Sequence, residues 1–135
     1  MLHPQLLLQA YATGLFPMAD SAEGEEIFWV DPPRRTILPL ATFHVPQRLA
    51  RSVRKGIYTI SVNKCFAEVI EACASTPRGD DTKTWINKTI RQSYTHLHDL
   101  GFAHSVEAWQ DGKLVGGLYG ISLGRAFFGE SMFSV

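Results

Sequence analysis

The chain has 135 residues, of which 45% are hydrophobic, enough for a packed core and too many for a disordered segment. Thirteen Lys and Arg balance thirteen Asp and Glu, so no net field steers partners to it. No apolar run reaches the roughly 18 residues of a membrane span, the N-terminal residues lack the basic stretch of a secretory signal, and two cysteines are too few for a disulfide scaffold or a zinc site. Cys65 and Cys73 lie on one side of a helical stretch and read as small buried residues of a reducing compartment.

Pro4 can open a short helix and Gly14 can close it, with Leu7, Leu8 and Tyr11 on its apolar face. Gly14 to Met18 reads as a turn carrying apolar groups, and Ala22 to Glu26 as a polar loop. Ile27 to Val30 is a short strand halted by Asp31-Pro32-Pro33, because proline cannot donate to a sheet ladder. Thr36 to Leu38 is a second short strand, and a helix runs from near Pro46 to the residue before Gly56. Residues 1–56, broken repeatedly by proline, read as a small N-terminal subdomain.

From residue 57 the pattern is more regular. Ile57 to Val62 is a strand, and Asn63 is placed to cap a helix that turns Phe66, Val69, Ile70 and Cys73 inward. Ser75 to Lys83 is a polar loop. Thr84 is placed to cap the next helix, where Ile86, Ile90, Tyr94 and Leu97 recur at helical spacing and Gly101 is the stop. Ala103 to Trp109 alternates as a strand, Asp111-Gly112 signals a hairpin, and Leu114 to Ser122 is the return strand. Its Gly116, Gly117 and Gly120 leave room for a ligand or a neighbouring backbone. Leu123-Gly124 then turns into Arg125 to Phe128. Strand, helix, helix and three antiparallel strands is the order that opens the GCN5-like N-acetyltransferase fold. The expected class is therefore α+β: the subdomain 1–56, then residues 57–135 as the first half of an acyltransferase-like mixed sheet with helices, incomplete at its C-terminus.

The neutral total hides an asymmetry. Five acids and no base lie between Asp20 and Asp31, and seven bases and no acid between Pro32 and Lys64. Arg48, Arg51, Arg54 and Lys55 follow helical spacing and form one stripe, which reads either as a solvated face or as a contact for a phosphate backbone.

Four places could carry chemistry. Gly129-Glu130-Ser131-Met132-Phe133-Ser134 is expected at the end of a strand, where ligands of open α/β sheets bind. A partly desolvated Glu130 there suits a general base or the holding of an attacking amine. Ser131 lacks the Gly-x-Ser-x-Gly elbow and an evident His–acid pair, so serine nucleophilic catalysis is disfavoured. Trp85, at a loop–helix junction, is either core or a base-stacking platform. His96 and His98 point to different sides of a helix and make no metal pair, and His104 reads as structural.

Six blocks in fixed order carry a resemblance along nearly the whole chain. They are Tyr11-Ala12-Thr13-Gly14-Leu15-Phe16-Pro17, Phe28-Trp29-Val30-Asp31-Pro32-Pro33-Arg34, Thr84-Trp85-Ile86, His104-Ser105-Val106-Glu107-Ala108-Trp109, Leu114-Val115-Gly116-Gly117-Leu118-Tyr119-Gly120 and Gly129 to Ser134. The sequence resembles the leucyl/phenylalanyl-tRNA–protein transferases.

The resemblance implies an aminoacyltransferase that moves Leu, Phe or Met from aminoacyl-tRNA to the N-terminal Arg or Lys of acceptor proteins, marking them for degradation. It implies no cofactor and no metal, a cytoplasmic monomer, and no membrane. By the same resemblance Glu130 sits at the reacting centre. Leu118, Met132 and Ser134 line the pocket for the transferred side chain. Trp85 stacks on the terminal adenine, with Met18 where the family often has a second Trp. Arg48, Arg51, Arg54 and Lys55 then meet the tRNA backbone. Family members continue beyond the position of Val135, with an Asp and a Gln at the reacting centre, so this chain is expected to be a fragment without the full rate of transfer. Two other classes are weighed against this one: an RNA-binding module without catalysis, and an acyl-CoA-dependent N-acetyltransferase. The second needs a glycine-rich pyrophosphate loop where Glu130 and Met132 stand.

Overall fold

The computed structural model describes residues 1–77 and 84–135. The predicted loop Ser75 to Lys83 falls mostly on residues 78–83, outside the described residues.

Helix α1 spans Pro4–Ala12, with Pro4 in the first turn, where its missing N–H is no loss. Gly14 follows at φ +90°, a conformation that ends the helix. Leu7 and Tyr11, four apart, are buried, and the Leu2 N–H donates to Ser93 Oγ at 2.7 Å, tying the N-terminus to a later helix. The expected turn over Gly14 to Met18 contains a strand. β1, Phe16–Met18, pairs antiparallel with β2, Phe28–Val30, setting Phe16 opposite Val30 and Met18 opposite Phe28. Pro17 is tolerated because, among the described residues, this ribbon has two strands, each with a free edge.

Thr36 to Leu38 forms no strand. It is exposed and has no partner strand among the described residues, and a period-two pattern without a partner is not a sheet. Helix α2, Gln47–Lys55, ends at Gly56 in the left-handed conformation as expected. None of its residues is buried.

The second sheet holds β3 (Thr59–Val62), β4 (Ala103–Gln110), β5 (Lys113–Leu123) and β6 (Ala126–Ser134) in the order β3-β4-β5-β6. All three pairings are antiparallel, so the expected mixed sheet is purely antiparallel among the described residues. The order strand, helix, helix, three strands holds, with α3 at Phe66–Ser75 and α4 at Lys88–Asp99. Asp111 (φ +52°) and Gly112 (φ +76°) make the two-residue turn between β4 and β5 that matches strand twist. At Gly120 an added Cβ would collide with the Phe128 carbonyl and the Phe127 ring. The room is taken there by the chain's own next strand and not by a ligand.

Both predicted caps move. Asn63 adopts φ +57°, and its Oδ1 accepts the Ser105 N–H at 3.0 Å, so it closes the β3–α3 turn onto β4. Glu107 holds the turn ahead of α3, its Oε1 accepting the Lys64 N–H at 3.0 Å and the Ser61 hydroxyl at 2.7 Å. Thr84 Oγ1 accepts the Ile86 N–H two residues on, and Asn87 caps α4 by accepting the Ile90 N–H at 2.9 Å.

The core lies on one face of this sheet. Ala103, Tyr119 and Ile121 point inward from the strands onto Phe66, Val69, Ile70 and Cys73 of α3, and onto Ile90, Tyr94 and Leu97 of α4, with Leu7 and Tyr11 of α1 beside them. The other face carries Ile60, Val62 and Met132, which are 61%, 62% and 65% exposed.

Candidate active site

A β-bulge places the central carboxylate. Tyr119 is opposite Ser131, but Gly120 is opposite Gly129, so Glu130 is an extra residue with no partner in the ladder. On either side alternation is regular: Phe128 opposite Ile121, Ser131 opposite Tyr119 and Phe133 opposite Gly117 face the core, while Met132 opposite Leu118 and Ser134 opposite Gly116 face outward. The bulge turns Glu130 to the core side. Its Oε1 accepts the Tyr11 hydroxyl proton at 2.6 Å. The Gly129–Ser134 block forms the C-terminal end of β6, with the bulge inside the strand.

Behind Tyr11 stands Tyr94 of α4, in hydroxyl-to-hydroxyl contact with it. When Tyr11 gives its single proton to an ionised Glu130, Tyr94 must be the donor to Tyr11. The result is a relay from Tyr94 through Tyr11 to Glu130, in which each bond polarises the next. Burial, then the neighbouring Tyr94 and the Glu130 charge, push the Tyr11 phenol far above its ordinary value. Burial, with the charge of Glu130, does the same to Tyr94. Both phenols therefore stay protonated as fixed donors. Burial raises the Glu130 carboxyl to about 7, against the pull of the Tyr11 hydrogen bond and of the Arg35 charge. A carboxylate with that value exchanges protons near neutrality, the property required of a general base.

Arg35 follows β2, with its guanidinium over the rings of Phe16 (5.1 Å) and Phe128 (5.7 Å). Phe128 packs on Tyr11 at 5.3 Å between ring centroids. The two-stranded ribbon and β6 thus meet around Glu130.

The sequence-predicted residues fall into three groups. Trp85 is half-buried against the core, and its carbonyl accepts the Ala19 N–H at 3.0 Å, which sets Trp85 beside the Met18–Ala19 backbone. Leu118, Met132 and Ser134 lie together on the outer sheet face. The sheet separates them from Trp85, so these residues do not form one shared recess. Arg48, Arg51, Arg54 and Lys55 occupy an arc of about 120° on α2, as the spacing of an ideal helix requires. Leu49 and Val53 lie on its opposite side. Two surface grooves, of about 550 and about 320 Å³, lie on α3 with α4 and on α1 with Trp29, and none of the predicted site residues lines either.

Two histidines are engaged within the chain. His98 stacks on Phe66 at 4.4 Å and bonds the Ala103 carbonyl, and His104 meets Asn63 Nδ2 at 2.9 Å. Cys65 and Cys73 form no disulfide, and Cys73 is buried while Cys65 is half-buried. The described residues contain no cluster of metal ligands. No helix among them is long and apolar enough to cross a membrane.

Sequence reasoning missed Tyr11, Tyr94 and Arg35 as members of this site. Both tyrosines sit at helical positions of apolar stripes and were expected only as core. The available signal was that a buried tyrosine must find a partner for its hydroxyl.

Comparison with known proteins gives this geometry a family. Residues 1–33 match the model of the leucyl/phenylalanyl-tRNA protein transferase N-terminal domain, and residues 37–135 match the model of the leucyl/phenylalanyl-tRNA protein transferase itself. Leucyl/phenylalanyl-tRNA–protein transferases of Rhodopseudomonas palustris strains TIE-1, HaA2 and BisB18 are 58%, 57% and 55% identical over 130 residues. Each match covers 96% of this chain and 57%, 58% and 56% of the relative, so the chain spans little more than half the length of the curated relatives it matches. Together, family models that cover nearly the whole chain and identities above one half establish that the chain belongs to the leucyl/phenylalanyl-tRNA protein transferase family.

Proposed function

We propose that this chain serves an aminoacyltransferase, taking Leu, Phe or Met from aminoacyl-tRNA and joining it to a protein that begins with Arg or Lys, as a mark for degradation in the cytoplasm. The observation that carries this reading is the bulged Glu130 held by Tyr11, with a pKa of about 7. The ester of an aminoacyl-tRNA is already activated, so its transfer asks for positioning, removal of an amine proton and stabilisation of the oxyanion. Glu130 orients the attacking amine and accepts its proton. The two phenols keep the carboxylate aimed and ionisable.

In this reading the substrate lies across β6, the edge strand of the sheet. On the outer face, Leu118 and Met132 with Ser134 receive the transferred side chain, an apolar surface that suits unbranched and aromatic groups. On the inner side Trp85 stacks on the terminal adenine beside Met18. The α2 stripe meets tRNA phosphates, which set position and not sequence. Residues 1–56 act as a small N-terminal subdomain that carries Met18 and the α2 stripe, and residues 57–135 as the acyltransferase-like one.

The test is binding and transfer with labelled Leu-tRNA and an Arg-starting peptide. The wild-type chain is expected to bind Leu-tRNA, and W85A to weaken that binding by roughly ten- to a hundredfold, since base stacking on an aromatic ring is worth about 1–3 kcal/mol. Wild-type chain that does not bind Leu-tRNA overturns the reading. Binding with transfer undiminished in E130Q removes Glu130 from the chemistry.

A further inference from the structure

Arg35 has a place in the structure that the reaction outlined above does not use. Its guanidinium touches a ring from each sheet, Phe16 of β1 and Phe128 of β6. A guanidinium whose face rests on aromatic rings still directs its N–H groups outward in its own plane. Among the described residues it forms no ion pair, although it is exposed. Phe16 and Met18 alternate onto the same face of β1, so this cation, over Phe16, shares that face with Met18, which the proposal sets beside the terminal base. Through Phe128 and Tyr11 it is also contiguous with Glu130.

We infer that Arg35 binds the phosphodiester that precedes the terminal nucleoside of the substrate, and that the bound phosphate relieves Glu130 of the guanidinium's field. The inference rests on the aminoacyl-tRNA reading of the site. A planar fork with no ion pair among the described residues matches two phosphate oxygens, and a phosphate lies one nucleotide link from a stacked terminal base. The groups that face Glu130 are Tyr11 from α1, Tyr94 from α4 and Arg35 from the segment after β2. Of these only Arg35 is charged, so it is the member whose influence a bound anion cancels. Substrate binding then makes Glu130 more basic at the moment when an amine must lose its proton.

The probes are adenosine and the dinucleoside monophosphate CpA, titrated calorimetrically into wild-type chain, R35A and R35K. Wild type is expected to bind CpA at least about tenfold more tightly than adenosine, with the difference shrinking as salt rises. In R35A the preference disappears while adenosine affinity holds, and R35K, with charge but no planar fork, restores only part of it. A preference that survives in R35A overturns the inference, as does wild type that binds adenosine and CpA equally; both leave the aminoacyl-tRNA reading intact. Wild type that binds neither probe overturns the inference and that reading together. In a parallel carbon-13 titration of the Glu130 carboxyl, CpA should raise the midpoint in wild type and not in R35A. A midpoint in wild type that CpA leaves unmoved overturns the coupling to Glu130.

Discussion

Two carboxylates separated by 23 positions, Glu107 and Glu130, are both raised by burial yet end shifted in opposite directions, and the difference lies in who donates to them. Burial raises Glu107, but hydrogen bonds from Ser105, Ser61 and the backbone of Lys64 and Cys65 outweigh it and leave its carboxyl below the usual value. Glu130 is raised by burial and has one donor, Tyr11, with a more distant cation, so it ends at about 7. The linkage signs follow. Glu107 contributes stability that is present above its unfolded pKa and lost as pH falls through its depressed folded value. Glu130 binds its proton more tightly when folded, so its contribution is full below the unfolded value near 4.5 and is lost as pH rises towards 7. The loss amounts to as much as about 3 kcal/mol. A urea-denaturation series is expected to show stability falling between roughly pH 5 and 7 in wild type and flat over that range in E130Q. Y11F should move the Glu130 midpoint above 7, because the removed donor favoured the charged form; a midpoint that stays put would remove Tyr11 from the relay. Glu130 was visible in the sequence as an acid among apolar strand residues. Its partners were not, because Tyr11 and Tyr94 are far from it in the chain and each satisfies the local pattern of a buried helix face. The bulge was invisible too, since one extra residue in a strand leaves no local mark.

At the scale of elements, local signals located most helices and turns and failed where the deciding contact was distant. Gly56 and Gly101 end helices, and Asp111-Gly112 turns a hairpin, through their own backbone conformations. Asn63 and Thr84 are good capping residues by type, yet each is drawn to another partner. Asn63 serves β4 through Ser105, and the α4 cap falls to Asn87. Asn87 does more than cap: its Nδ2 donates to the Gly24 carbonyl at 2.8 Å, pinning the loop between β1 and β2 against α4, and the residue is 1% exposed. N87A therefore removes a helix cap and also orphans a carbonyl. It is expected to destabilise the chain by about 2–3 kcal/mol, more than the ~1 kcal/mol typical of a lost cap. N87D retains the acceptor for the Ile90 N–H but not the donor, and should fall between the two. Equal stability of N87A and wild type in urea would show that water satisfies both groups.

For the whole molecule, zero net charge hides an uneven distribution that bears on the proposed tRNA contact. The bases collect between residues 32 and 64, and four of them form the arc on α2. That helix buries none of its residues, so its composition answers to something other than the core of this chain. Its charges can be removed without disturbing the packing against β4 and β5, which is built by α3 and α4. This separation makes the electrostatic contribution measurable alone. Each neutralised phosphate contributes about −0.7 to −0.9 to the slope of log K against log salt. If all four α2 bases meet tRNA phosphates, the combined variant R48A/R51A/R54A/K55A should flatten the slope by about 3. It should leave the thermal midpoint within a few degrees of wild type, and the relative loss from W85A unchanged, because stacking and phosphate contacts act at separate places. A slope equal to that of wild type would assign α2 to solvent and leave Arg34, Arg35 and Lys64, the other bases between residues 32 and 64, to carry the proposed tRNA contact.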